Sequence, residues 1–337
     1  MKVLVYFTPN KNTDNFEGVR LRKSIKGALE IADVHYTTYI GDEYDVAHFI
    51  SPRDESKINE VVANNIPVVI SALYCESDPA ASWLDYKASK DGKREIILSL
   101  KNVKILNKAT LVLVPSEGAK ELLINSGVTS DIEIISPGVN LSRFDFTRID
   151  EKEIFFRYYS EEKNRKLVVV LGDYNYMEGI SSIIKMASKR KKELFYYFGP
   201  SINGCSFKIK RMIKKSPSNI KFKTIPNDDI YRSALINASI FIYPGYKTIG
   251  YVSALEAMAS KCQLVIRSQP LFKNLIMDGV NGYVVNYSET LTSIACDCLD
   301  GKITNMAEIA HKDVREHSLE KVSEKLKWFY QQAINTK

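Results

Sequence analysis

Twelve short runs rich in β-branched and aromatic residues recur along the chain, and most are too apolar to present a wet face. Residues 3–7, 34–39, 46–50, 68–71, 111–114 and 132–135 make a first series. Residues 167–172, 195–199, 220–224, 240–243, 264–267 and 282–285 make a second. Helical patterns lie between most of them: 16–31, 56–63, 94–108 and 118–126 in the first series, then 179–189, 207–215, 229–237, 253–260 and 271–277. Strands buried on both faces and separated by helices predict parallel sheets with crossover helices. Pro137-Gly138-Val139-Asn140 breaks the alternation before it resumes. A chain of 337 residues exceeds one ordinary core, so two domains are expected, 1–145 and 146–316. A helix at 317–337 carries its own apolar stripe (Val322, Leu326, Phe329, Tyr330, Ile334) and must pack back on a domain, the N-terminal one by expectation.

Composition narrows the class. Hydrophobic residues make up 45% and charged residues 26%, as in an ordinary globular protein. No apolar run reaches the length of a membrane span, and no signal-peptide pattern precedes the first strand. The five cysteines (Cys75, Cys205, Cys262, Cys296, Cys298) are scattered without zinc-ligand spacing, which predicts reduced thiols in a cytoplasmic protein. The net charge of +7 comes from the second half of the chain, chiefly residues 185–192 and 208–223. Such runs are either solvated helix faces or a surface drawn to anionic lipid. No nucleic-acid partner is expected, because no aromatic–basic stacking pattern accompanies them.

In open parallel sheets ligands gather beyond the carboxyl ends of the strands. Gly172, Gly199 and Pro244-Gly245 each follow a predicted strand there. Residues 248–266 read as a glycine turn, a helix entered through Leu255-Glu256-Ala257-Met258-Ala259, and a buried strand. Glu256 is expected in the first turn of that helix, where a carboxylate either complements the helix dipole or accepts hydrogen bonds from ligand hydroxyls.

These residues, in this order and spacing, resemble the nucleotide-sugar site of family 4 glycosyltransferases, which have the two-domain GT-B fold. Asp45-Val46-Ala47-His48, Ile135-Ser136-Pro137-Gly138-Val139-Asn140 with Phe144, Phe156-Arg157-Tyr158-Tyr159 and Asp278-Gly279-Val280-Asn281-Gly282 extend the resemblance over nearly the whole chain. With the length, they point to bacterial enzymes that add a hexose to a glucosyl-diacylglycerol. The resemblance implies two doubly wound Rossmann-like domains facing across a cleft, and a retaining transfer of a hexose from UDP-glucose or UDP-galactose to a glycolipid or other cell-envelope acceptor.

It also implies roles. Glu256 would hold the nucleotide ribose, and Thr248 with the Gly250–Tyr251 turn the donor sugar. Gly18 and Arg20 fit the glycine-rich loop near the donor phosphate, and His48, at a strand end, is either a structural histidine or a residue of the phosphate or acceptor side. Gly172, Arg22 and Lys247 complete the candidates around the diphosphate. Several positions depart from the pattern. Asp173 and Glu178 stand where the family has the Arg and Lys that neutralise the diphosphate, and like charges there cost on the order of 1 kcal/mol or more. Thr248 replaces the first Glu of a Glu-x7-Glu pair, and Ser71 and Leu73 stand where a His is usual. The departures at Leu73, Glu178 and Thr248 leave a second reading open, a GT-B protein without catalysis that serves as partner or regulatory subunit of an active glycosyltransferase. No metal or other cofactor is expected, since no Asp-x-Asp or His/carboxylate cluster has ligand spacing. Residues 19–26 and 83–94 mix basic, aromatic and aliphatic side chains, which reads either as an ordinary surface helix pair or as peripheral contact with the inner face of an anionic membrane.

Overall fold

The computed structural model describes residues 1–7, 16–51, 54–72, 100–144, 149–174, 179–245 and 251–336. They form two compact units. The first holds Met1–Asn140, Pro270–Leu275 and Glu316–Lys337; the second holds Leu141–Gln269 and Ile276–Arg315.

The first unit is built on six parallel strands, β1 (Lys2–Tyr6), β2 (His35–Thr37), β3 (Val46–Phe49), β4 (Val68–Ser71), β5 (Leu111–Val114) and β6 (Ile132–Ile134), in the order β2-β1-β3-β4-β5-β6. Val3, Leu4 and Val5 of β1 and every residue of β3, β4 and β5 are buried, the result expected of strands with helices on both faces. The helices α1 (Phe16–Ile31), α2 (Glu55–Ala63), α3 (Leu100–Leu106) and α4 (Glu117–Asn125) cover the sheet. Two start on side-chain caps: Asp54 accepts from the Lys57 amide at 3.1 Å, and Ser116 from Ala119 at 3.2 Å.

The last helix, α12 (Leu319–Asn335), packs against α1 and over β3 and β4. Leu319, Val322, Leu326, Phe329, Tyr330 and Ala333 are all at most 6% exposed and recur at helical spacing. Gly138 explains how the tail docks. Its φ is +79°, and a Cβ there would lie 2.7 Å from Leu319 Cδ2. Beside it the Leu319 amide donates to the Val139 carbonyl, and the Val139 amide to that of His317. Only glycine allows both the left-handed turn and this contact.

The second unit repeats the plan with β7 (Leu167–Leu171), β8 (Leu194–Phe198), β9 (Ile220–Lys223), β10 (Ala238–Tyr243), β11 (Gln263–Arg267) and β12 (Tyr283–Val285). They pair in parallel in the order β12-β11-β10-β7-β8-β9. The chain therefore steps outward from β7 to β9, then returns to the other side of β7 and steps outward again. The accompanying helices are α5 (Ile149–Tyr159), α6 (Ile180–Lys189), α7 (Phe207–Lys214), α8 (Asp228–Asn237), α9 (Tyr251–Ala259), α10 (Ser288–Leu299) and α11 (Ala307–Asp313).

One expectation about elements changes. The apolar spacing at 271–277 predicts a helix, but the structure has a 3-10 turn at Pro270–Phe272. Asn274 takes φ +68°, which ends any helix, while Leu271, Phe272 and Leu275 are buried in the first unit. The amphipathic pattern at 19–26 belongs to α1, whose Leu21 and Ile25 are 2% and 5% exposed. Its apolar stripe faces the core of its own unit, and Lys23 is exposed on the other side. Residues 83–94 lie outside the described residues.

Candidate functional site

In the second unit the strand order reverses at β7, which has β8 on one side and β10 on the other. A crevice forms at such a switch point, because the connections leaving the two strands run to opposite faces of the sheet. The segments leaving β7 and β10 begin at Gly172 and Pro244-Gly245, so these residues define the candidate site.

The turn after β7 is pinned away from β10. Tyr174 is 4% exposed, and its hydroxyl lies 3.0 Å from the Tyr197 carbonyl and 2.8 Å from that of Lys223. Burial pushes this phenol well above its ordinary pKa, so it stays a neutral donor. The Tyr197 hydroxyl in turn donates to the Asp173 carbonyl at 3.3 Å. The Gly172–Tyr174 turn thus folds over the ends of β8 and β9. Gly199 makes the approach possible, since a Cβ there would stand 2.5 Å from the Gly172 carbonyl oxygen. Gly179, with φ +74°, then leads into α6.

On the β10 side, Pro244 and Gly245 are buried. Gln269, 5% exposed beyond the end of β11, donates its amide hydrogen to the Gly245 carbonyl. Gln269 borders the candidate site and was not expected from the sequence. A glutamine between Ser268 and Pro270 carries no local signal, and its role comes from β10 and β11 being neighbours. Tyr174 was missed in the same way.

All nine residues of α9 are buried, Glu256 among them at 9% exposure. The helix begins at Tyr251, earlier than the sequence suggests, so Glu256 occupies its second turn and not its first. That takes it beyond the amides of the helix N-terminus and weakens the dipole explanation for a carboxylate here. The helix around it is mostly apolar, and a buried carboxylate requires polar company. The Tyr251 ring is 2% exposed, so any contact from this residue to a ligand would come from its backbone.

Other candidates are placed differently. Arg20, 7% exposed, sits on α1, the helix that follows β1 at the switch point of the first sheet. The Arg22 guanidinium lies 5.6 Å from the Phe7 ring centre, at cation–π distance. Gly18 lies in the first turn of α1. His48 is not on an open strand end: it is fully buried, with Nδ1 2.6 Å from the Tyr330 hydroxyl and Nε2 2.7 Å from Ser71 Oγ. Burial lowers its pKa to about 3, so the ring is neutral and fastens α12 to β3 and β4. Its burial and its two ring contacts are those of a structural histidine. Lys247, Thr248 and Gly250, like Leu73 and Glu178, lie outside the described residues. Among the described residues, no group of three or more His, Cys, Asp or Glu side chains converges as a metal site. No helix among them is long and apolar enough to cross a membrane.

Two Rossmann-like units, each with a six-stranded parallel sheet, constitute the GT-B fold of glycosyltransferases. No protein-family model matches the chain. Among curated proteins it is 24% identical, over 100% of both chains, to a processive diacylglycerol alpha-glucosyltransferase of Acholeplasma laidlawii, in line with the resemblance carried by its motifs. Among solved structures it is similar to a sucrose-phosphate synthase from Thermosynechococcus elongatus, with a TM-score of 0.77, 14% identity and 100% of both chains covered. It is also similar to Anabaena HepE in complex with UDP-glucose, with a TM-score of 0.74, 13% identity, and coverage of 98% of this chain and 100% of the other.

Proposed function

We propose that the protein is a retaining glycosyltransferase that moves a hexose, glucose or galactose, from a UDP-sugar to a glycolipid or related cell-envelope acceptor. The observation that carries this reading is the switch point of the second sheet. Gly172 and Gly245 border it, and the buried helix that follows it bears a single carboxylate. The complex of HepE with UDP-glucose and the glucosyltransferase of Acholeplasma laidlawii support the donor class. In this reading Glu256 accepts hydrogen bonds from the ribose hydroxyls, and Gln269 holds the Gly245 carbonyl and with it the start of the donor loop. Thr248 with the backbone of Gly250–Tyr251 meets the sugar, while Arg20 or Lys247 meets phosphate. The chemistry needed is stabilisation of a departing diphosphate, and oriented cations supply most of it.

Glu178 at the position of the diphosphate lysine favours a second reading, a partner subunit of an active glycosyltransferase that has lost turnover. Calorimetry with UDP-glucose and UDP-galactose tests the donor site common to both. Binding is expected, and Glu256→Ala should weaken it about tenfold or more, the worth of a charge-assisted hydrogen bond. No binding of either nucleotide sugar at millimolar concentration would remove the donor-site assignment. Release of free UDP in the presence of glucosyl-diacylglycerol then separates the enzyme from the partner subunit.

A further inference from the structure

Two buried glutamines flank β11, and the fold satisfies only one of them. Gln263, 3% exposed at the start of the strand, donates to the Leu264 carbonyl at 3.3 Å and accepts from the Met306 amide at 2.7 Å. Gln269, 5% exposed beyond the other end, donates through Nε2 to the Gly245 carbonyl. That contact fixes which way its carboxamide faces. Turned over, the group would set Oε1 against the Gly245 oxygen, acceptor against acceptor. Oε1 therefore faces away from Gly245, buried, and among the described residues no donor reaches it. The backbone here is held in place, because the Ser268 amide donates to the Val285 carbonyl at 2.8 Å and extends the pairing of β11 with β12.

A buried acceptor without a donor costs about 1–3 kcal/mol, and the large majority of buried polar groups avoid that cost. The open one lies at the carboxyl ends of β10 and β11, the end where parallel sheets bind ligands. What completes it must bring a hydrogen. An ionised diphosphate has none to give. A hexose brings several hydroxyls, and a uracil brings one ring N–H. Gly245, held by the same carboxamide, opens the stretch whose Thr248 and Gly250 meet the sugar in the donor-site reading, which favours the hexose.

From this open acceptor we infer that Gln269 Oε1 accepts a hydrogen bond from a hydroxyl of the hexose of the nucleotide sugar, so that Gln269 determines donor specificity. The inference rests on the donor-site reading, and UDP alone separates the two, since it probes the site without the hexose. The chain has four glutamines (Gln263, Gln269, Gln331 and Gln332), so isotope labelling of glutamine side chains gives four carboxamide signals, assigned by single replacements. UDP-glucose should shift the Gln269 signal, and saturating UDP should leave it in place. Calorimetry with UDP-glucose and its 2-, 3-, 4- and 6-deoxy analogues supplies the energetic half of the test. One analogue should bind the parent about three- to tenfold more weakly than UDP-glucose, and in Gln269→Met that difference should vanish. Loss of the Gly245 contact by itself would weaken all these sugars alike and preserve the difference. Equal affinity of parent and variant for UDP would show the variant folded. A Gln269 signal unmoved by UDP-glucose would overturn the inference, as would the same ranking of the deoxy sugars in parent and variant. An equal shift with UDP would also overturn it and put Oε1 on the uracil. A parent that binds neither UDP nor UDP-glucose would remove the donor-site reading, and the inference with it.

Discussion

Gly199 shows how much a single residue's meaning depends on the fold. In the sequence it is a glycine after a strand, ordinary turn chemistry. In the structure it is the position where the backbone of Gly172 passes too close for any Cβ. Gly199→Ala should therefore destabilise the protein by about 1–3 kcal/mol, the usual cost of overpacking. It should also weaken nucleotide-sugar binding by shifting the 172–174 turn, and urea titration with calorimetry checks both. Tyr174 belongs to the same construction, and its burial and paired carbonyls were invisible to periodicity. Glu256 was legible as a carboxylate in an apolar helix, but its burial and its place in the second turn were not. Helix starts depend on caps and packing that a pattern of apolar residues does not resolve.

At the scale of elements, all twelve strands lie within or beside the runs that predict them, and the central ones are clearest, since a strand buried on both faces needs an uninterrupted apolar run. Helices were less legible. No helix was expected over the stretches that form α5, α10 and α11, and the apolar spacing at 271–277 predicted one that does not form. The terminal helix was readable from its stripe, but its polar clasp on the sheet was not. His48 there has a folded pKa of about 3 against an ordinary 6.5. Between those values the unfolded chain binds more protons than the folded one, so stability rises with pH across this window and is lost as pH falls from about 6.5 towards 3. Melting curves from pH 7 to 4.5 should fall more steeply for the parent than for His48→Asn, whose side chain does not titrate. The difference in slope should approach about 1.4 kcal/mol per pH unit. Parallel curves for the two proteins would show that the imidazole is not the group responsible.

The whole molecule consists of two units, and the chain passes between them more than once. Two cores of this kind need not melt together. Scanning calorimetry should resolve two transitions. UDP-glucose at a hundredfold excess over its dissociation constant should raise only the one belonging to the second unit, by about 5–10 °C. A shift confined to the other transition would place the donor site in the first unit.

Read alone, the sequence determined the parallel α/β architecture, the number of strands, the division into two similar halves and the positions where the chain leaves each strand. All of these follow from local periodicity and from where glycine and proline interrupt it. It also supplied the residues that carry the likeness to glycosyltransferases. The tertiary structure alone decided which distant residues become neighbours. The return of β10 to the side of β7 creates the switch point, the neighbouring of β10 and β11 brings Gln269 to Gly245, and the docking of α12 removes His48 from solvent. Each of these joins residues distant along the chain, and a contact of that kind leaves no trace in the spacing of either partner.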